Sequence, residues 1–155
     1  MAATTRELVE AFYAAYTARD SAAMAPLLAD DVDWTISGPV DVLPFCGSHR
    51  GRQAVLDLVD HRIPAVFSVF AFVRDQMLTD GDSAATLHRI SARTPDGRVI
   101  SYRVAHFFRF ADGKLVENLT LIDSFDAVEQ VLGHPLQLHD APPLAVDDDS
   151  ALVAL

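Results

Sequence analysis

The residues of this chain that could do chemistry lie in its last predicted β-hairpin, beside an Asp-Gly turn at 112–113. If that turn is a two-residue type I′ turn, His106 lies opposite Leu119 on the partner strand. By the same count, Tyr102 lies opposite Asp123. Directly opposed residues share a face of the sheet. This face therefore combines apolar side chains with an imidazole and a carboxylate, which is the composition of a small-molecule pocket.

His106 is the first candidate for an acid/base residue. Val104, Phe108 and Leu119 would surround the imidazole, and the loss of water around it would move its pKa across neutrality. The alternative is a core histidine whose ring is held by one backbone carbonyl. Burial with a carboxylate partner and an opening to solvent would favour the catalytic role.

Two aspartates could act together with His106. Asp123 ends a predicted strand just before a helix, so its alternative role is to cap that helix. Asp41 lies in an apolar loop over 37–50 and has the freedom that a general base needs, although aspartates in loops also form Asx turns. Leu43 and Phe45 of this loop have no other place to bury, so we expect the loop to close one side of the pocket.

The register of the preceding hairpin decides whether Arg89 or His88 faces the pocket. A two-residue turn at 96–97 pairs Arg89 with Val104 and points Arg89 inward, whereas a three-residue turn points His88 inward. An inward Arg89 would bind a ligand carboxylate or pair with an internal acid. Aromatic side chains are expected to line the pocket, either as core or as ligand contacts, namely Phe12, Tyr16, Trp34, Phe45, Tyr102 and Phe108.

Helical and strand patterns follow one another in an order that predicts an α+β fold with helices on one face of the sheet. A capping box at Thr4 and Glu7 predicts the first helix, and Pro64 is expected to end the third. Three Asp-Gly pairs, at 80–81, 96–97 and 112–113, predict a meander. The predicted helices cover 4–18, 20–29, 51–62 and 125–132, and the predicted strands cover 32–36, 65–79, 83–94, 99–111 and 114–123.

Length and charge limit the possible partners. The chain has 155 residues, which fits one domain over 1–134 followed by an irregular acidic tail over 135–155. The formal net charge of −10 argues against nucleic acid. The longest apolar run, 63–73, is too short for a membrane span. Hydrophobic residues make up 50% of the chain, which favours a homodimer that buries apolar surface.

The cysteine and histidine content is used to predict the cellular compartment and whether the protein binds a metal ion. The single Cys46 cannot form an internal disulfide, which agrees with a reducing compartment. The first residues lack the pattern of a signal peptide, so we expect a cytoplasmic protein. The six histidines are scattered and show no spacing typical of metal ligands, and we therefore predict no metal and no other cofactor.

Four segments carry a resemblance to a known superfamily: 12–20, 28–32, 47–55 and 106–114. Through them the chain resembles nuclear transport factor 2, ketosteroid isomerase and the SnoaL-like polyketide cyclases. The resemblance implies a cone-shaped, curved antiparallel sheet packed against three N-terminal helices. It also implies a homodimer formed through the sheet, with one apolar pocket in each subunit.

The activity that this resemblance implies is less specific, because the fold hosts isomerases, cyclases, dehydratases, hydrolases and binders. The three functional positions of ketosteroid isomerase fall on Phe12, Gly38 and His106, and none matches. The similar cyclases use a histidine and carboxylates, which keeps His106 with Asp123 or Asp41 as an acid/base set. We therefore expect a pocket for a small hydrophobic molecule. The protein is either a cofactor-free isomerase, cyclase or hydrolase or a non-catalytic binding or accessory protein.

Overall fold

A meander of four long strands makes up most of the sheet, and the helices lie before and after it. The computed structural model describes residues 3–137, so the predicted tail lies outside the described residues except for 135–137. The predicted domain boundary stays a prediction. The elements are α1 (Thr5–Ala18), α2 (Ser21–Met24), a 3-10 turn (Ala25–Leu27), β1 (Leu28–Ser37), β2 (Gly47–Arg50), α3 (Arg52–Asp57), a π-helical turn (Leu58–Arg62), α4 (Ile63–Val66), β3 (Ser68–Asp80), β4 (Ser83–Arg93), β5 (Val99–Ala111), β6 (Lys114–Ile122) and α5 (Ser124–Leu132).

Helix α1 begins at the predicted capping box. The Thr4 hydroxyl accepts a hydrogen bond from the Glu7 backbone N–H, and the Glu7 carboxylate accepts one from the Thr4 backbone N–H at 2.7 Å. The helix ends at Arg19, whose backbone is left-handed with φ 53°. None of the helices within 3–137 is long and apolar enough to span a membrane.

The curved sheet has the strand order β2-β1-β6-β5-β4-β3. Strands β3 to β6 form the predicted antiparallel meander, and β1 runs parallel to β6. The predicted α+β fold is therefore confirmed, although the number of helical segments differs slightly. Strand β2 was expected to be loop, because its four residues carry too short a pattern to identify. It is held by pairing with β1, in which Trp34 lies opposite His49.

The β5–β6 hairpin begins as predicted and then departs from the predicted register. Asp112 and Gly113 both have positive φ, as a type I′ turn requires. A bulge follows, because Phe110 pairs with Leu115 but the residue before it pairs with Glu117. The extra residue, Val116, turns the rest of β6 to the other face of the sheet.

The predicted pairs beyond this bulge are therefore wrong. His106 lies opposite Thr120, where Leu119 was expected. Asp123 lies beyond the end of the ladder, so Tyr102 does not face it. The inward face of β5 is as predicted, since the alternate side chains from Tyr102 to Phe110 are all buried. On β6, Asn118 and Thr120 now face inward, and Leu119 and Leu121 are exposed.

The β4–β5 hairpin has the longer of the two predicted turns. Residues 95–97 form its tip, and the Thr94 backbone N–H donates to the Arg98 carbonyl at 2.9 Å. This register pairs His88 with Val104. The inward orientation predicted for Arg89 from a two-residue turn is therefore wrong. His88 is buried and the Arg89 side chain is exposed.

The third helical segment does not end before Pro64, as was predicted. Pro64 has no backbone N–H to donate to the preceding turn. The chain widens there into the π-helical turn, in which the Ile63 N–H donates to the Leu58 carbonyl. The helix then continues through α4 to Val66, so β3 begins at Ser68 and not at Ala65.

Candidate functional site

A small space of about 30 Å³, called here the inner cavity, lies on the inner face of the sheet. Six residues define its chemistry: the aromatic side chains of Tyr16, Trp34, Phe45 and Tyr102, together with His106 and Thr120. Phe67 and aliphatic side chains complete the wall. Five of these six residues were predicted for the pocket, and their role in binding stays a prediction.

Two other predicted aromatic residues lie behind this wall. Phe12 packs against Trp34 with ring centroids 5.7 Å apart, and it contacts Phe108 at 5.4 Å. The Phe108 ring lies parallel to the His106 ring at 5.6 Å with an interplanar angle of 4°. Both phenylalanines are buried and do not border the inner cavity. They support the residues that do.

The apolar loop closes one side of the inner cavity, as predicted. Leu43 and Phe45 are both buried, and the Phe45 ring borders the cavity. It packs edge-on against Phe67 at 5.4 Å. Val40, at the start of the loop, is exposed.

The hydrogen bonds around His106 favour one position for the ring proton. The Trp34 Nε1–H can only donate, and it donates to Thr120 Oγ1 at 2.9 Å. The Thr120 hydroxyl is then free to donate to His106 Nδ1, which lies 3.2 Å away. The amide of Asn118 is a second donor to the same nitrogen at 3.5 Å. With these two groups as donors, His106 Nδ1 is the acceptor and the proton of the neutral ring lies on Nε2, which is the tautomer that this arrangement favours.

The other ring nitrogen, Nε2, has no hydrogen-bond partner among the described residues. Burial lowers the pKa of His106 to about 3, and the proximity of His88 acts in the same direction. The imidazole is consequently neutral at physiological pH. His106 thus presents one N–H donor that the protein itself does not use.

The structure does not bring the predicted carboxylates to His106. Asp123 is exposed and borders a separate surface pocket with Arg89 and Arg103. Its side chain makes no capping hydrogen bond to α5. Asp41 is exposed in the apolar loop. Within 3–137, no three His, Cys, Asp or Glu side chains form a group that could hold a metal ion.

A larger open space, called here the outer pocket, borders the inner cavity. Its volume is about 280 Å³, and it lies between the end of α1, the helical segment around α4 and the start of β3. Tyr16, Ile63 and Val69 line both spaces. These three side chains therefore form the partition between the inner cavity and the outer pocket.

Thr120 and Asn118 are the site residues that the sequence analysis missed. The register predicted from the turn faces Leu119 inward and so places both neighbours on the outer face, whereas the bulge at Val116 turns them inward. The signal that could have revealed them is a charge pair. Arg109 donates to Glu117 at 2.8 Å across the hairpin, which is possible as a direct pair only in the bulged register.

Solved structures with the same fold are numerous, whereas no curated protein matches the chain. A structure from Rhodopseudomonas palustris named "Putative Isomerase" is 32% identical; the match covers 86% of this chain and 100% of that one, with a TM-score of 0.75. A nuclear transport factor 2-like protein from Burkholderia thailandensis is 26% identical over 83% of this chain and 97% of its own, with a TM-score of 0.73.

A third structure shows the likeness in fold alone. It is a Catenulispora acidiphila protein with a ketosteroid isomerase-like fold, in complex with trimethylamine. It is 19% identical over 85% of this chain and 96% of its own, with a TM-score of 0.67. The SnoaL-like domain family matches residues 9–118, which is most of the described structure. The resemblance noted from the sequence is confirmed, and the chain belongs to the SnoaL-like domain family.

Proposed function

We propose that this protein binds a small apolar molecule that carries an acceptor oxygen, such as a carbonyl, and that the His106 Nε2–H donates to that oxygen. One observation carries the proposal: a buried, neutral histidine beside the inner cavity has one nitrogen fixed as an acceptor and the other without a partner. An unmade buried hydrogen bond costs about 1 to 3 kcal/mol. A ligand oxygen would recover this energy.

The ligand needs more room than the inner cavity offers, since about 30 Å³ holds roughly one water molecule. Tyr16 stands between this cavity and the outer pocket, and it is only partly buried. Its hydroxyl forms no hydrogen bond with the described residues, and burial raises its pKa to about 12. Rotation of this side chain would join the two spaces into one of the size in which small ligands bind.

A cofactor-free isomerase is the second candidate, and the 32% identical "Putative Isomerase" favours it. A neutral N–H donor stabilises the negative charge that develops on a carbonyl oxygen when the neighbouring carbon loses a proton. His106 could supply this stabilisation. Cyclisation and hydrolysis would use the same polarised carbonyl. No carboxylate among the described residues borders the inner cavity, so in all three reactions the departing proton would pass to a water molecule.

Titration with 2-nonanone tests the binding proposal, and Trp34 reports on it because it is the single tryptophan and borders the cavity. We expect saturable quenching of its fluorescence. His106→Leu should weaken binding about tenfold, the loss of about 1.4 kcal/mol. His88→Leu is the matched control and should leave the affinity unchanged. Equal affinity in a folded His106→Leu protein, or no binding by the wild type, would overturn the proposal.

Exchange of the α-protons of 2-nonanone in D2O separates the isomerase from the binder. An isomerase that removes such a proton should catalyse deuterium incorporation, which proton NMR detects. The His106→Leu variant should lose that activity. A protein that binds the ketone without exchange is a binding or accessory protein.

We also propose that the protein is a homodimer formed through the outer face of the sheet. Leu78, Phe107, Leu119 and Leu121 are exposed on this face, Leu78 by 61%. The bulge makes the face more apolar than the sequence predicted, because it turns Leu119 and Leu121 outward. Light scattering at micromolar concentration should give twice the chain mass. Leu119→Glu should give a monomer, and a monomeric wild type would refute the dimer.

A further inference from the structure

We infer that the ligand is an apolar acid and that the outer pocket recognises its anionic end through Arg19. This inference rests on the proposed function and specifies the class of molecule that the site accepts. In this arrangement, the carboxylate pairs with Arg19 at the mouth of the outer pocket. The apolar body of the acid passes Tyr16 and carries a second oxygen, such as a ketone, to His106 in the inner cavity.

The charge of the outer pocket is the first support for this inference. Arg19 is its one charged lining residue, and the wall is otherwise apolar apart from Tyr16 and Thr17. Acidic residues outnumber basic ones by 22 to 12 in the whole chain, yet no carboxylate lines this pocket. An arginine against apolar walls binds the planar carboxylate group well, because its guanidinium donates two parallel hydrogen bonds.

The freedom of the Arg19 side chain is the second support. It forms no ion pair with any residue in 3–137. Asp20, which caps the start of α2, and Asp60, in the π-helical turn, each have another partner. Asp20 accepts a hydrogen bond from the Ala23 backbone N–H, and Asp60 accepts one from the Ser21 hydroxyl. The positive charge at the mouth is therefore available to a ligand.

The backbone of Arg19 is the third support. Its φ of 53° is left-handed, a conformation that glycine usually supplies at the end of a helix. Any residue with a side chain is strained in this conformation relative to glycine, and Arg19 is nevertheless the residue found here. A positive charge near a helix C-terminus is favourable by itself. The test must therefore separate recognition of an anion from stabilisation of α1.

The positions of Tyr16 and Arg19 join the outer pocket to the proposed site. The positive charge of Arg19 opposes the rise in the pKa of the Tyr16 hydroxyl, so the two groups act on each other. Tyr16 also borders the inner cavity, which His106 lines as well. A ligand held by Arg19 would thus be aligned with the partition that it must pass.

7-Oxooctanoate and 7-oxooctanamide are a matched pair of probes, since both carry a ketone oxygen for His106 near one end and they differ in charge at the other. Both are titrated against Trp34 fluorescence at low ionic strength. We expect the wild type to prefer 7-oxooctanoate about tenfold, with the preference reduced at high salt. Arg19→Gln should remove the preference without weakening 7-oxooctanamide binding. Arg19→Lys should retain most of it.

Arg6→Gln is the matched control, because Arg6 lies exposed at the other end of α1. It should keep the wild-type preference.

Thermal unfolding separates recognition from folding. Arg19→Gly relieves the left-handed strain, so this variant should fold with a melting temperature no lower than that of the wild type and yet show no preference. Two results would overturn the inference: no preference in the wild type, or an unchanged preference in Arg19→Gln. Binding of 7-oxooctanamide in either case leaves the proposed function standing. Failure of both probes to bind overturns both.

Discussion

His88 and His106 are neighbours on the inner face of the sheet, with ring centroids 6.0 Å apart. Both are buried, and burial lowers the pKa of both, to about 4 and about 3 respectively. Their surroundings differ. His106 accepts a hydrogen bond from Thr120 and borders the inner cavity. His88 packs between the rings of Tyr13 and Phe72, at 4.6 and 4.3 Å, and its Nδ1 has no partner in 3–137.

This comparison shows that a buried histidine with a lowered pKa is not by itself a functional one. What distinguishes His106 is the chain of donors from Trp34 through Thr120, which orients the ring and fixes its proton. His88 is also buried, but no such series of hydrogen-bond donors orients its ring. We therefore expect the two residues to respond alike to acid and differently to substitution.

The largest predicted effect is acid destabilisation through both histidines. An unfolded histidine binds a proton below pH 6.5, whereas folded His88 and His106 stay neutral down to about 4 and 3. Stability is therefore lost as the pH falls from 6.5 toward 4. At pH 4.5 each histidine should lower the free energy of unfolding by about 2 to 3 kcal/mol relative to pH 7.

Urea unfolding at pH 7 and pH 4.5 measures this loss. His88→Phe should lose less stability on acidification than the wild type, by the contribution of one histidine. His134→Gln is the control, because His134 is exposed and its loss should change nothing. An acid sensitivity that survives unchanged in His88→Phe would refute the prediction.

The next effect separates the two histidines at neutral pH. His88→Phe removes a buried nitrogen that lacks a partner and places a ring of similar size between two aromatic rings. It should stabilise the protein by about 1 kcal/mol. His106→Phe also removes the unpartnered Nε2–H, but it leaves two donors, the Thr120 hydroxyl and the Asn118 amide, without their acceptor. It should therefore destabilise the protein by about 1 kcal/mol. Urea midpoints at pH 7.5 test the opposite signs, and equal destabilisation by both changes would contradict them.

The parts of the fold that follow from neighbouring residues could be predicted from the sequence. The capping box sets the start of α1, and the Asp-Gly pairs mark the turns of the meander. Alternation then places His106 and Phe108 on the inner face of β5. The apolar character of Leu43 and Phe45 was sufficient to predict that their loop packs over the cavity.

The β6 side of the site could not be predicted from the turn. A turn fixes only the pairs next to it, and one extra residue sends every later side chain to the opposite face. Val116 is such a residue, and nothing in its own type marks it as a bulge. Asn118 and Thr120 were thus placed outside, and the carboxylate expected beside His106 was not there. For the same reason, the sequence left open whether Arg89 or His88 faces inward, because the length of the β4–β5 turn decides between them.

The smallest effect that we predict concerns the proton of His106. In the wild type, nitrogen-15 NMR should show Nε2 protonated and Nδ1 unprotonated, because Thr120 donates to Nδ1. Thr120→Val removes that donor and leaves the weaker contact with Asn118 at 3.5 Å, so both tautomers should become populated. The change also takes the acceptor from the Trp34 N–H and should lower the free energy of unfolding by about 1 kcal/mol.

Two controls accompany this measurement. Thr120→Ser keeps the hydroxyl and should keep the wild-type tautomer. The nitrogen shifts of His88 should be the same in all three proteins, because its ring does not contact residue 120. A wild-type His106 protonated on Nδ1 would leave Nε2 as an acceptor and reverse the direction of the proposed hydrogen bond. The cavity would then call for a donor on the ligand, and His106 would resemble His88 in lacking any fixed proton for a carbonyl.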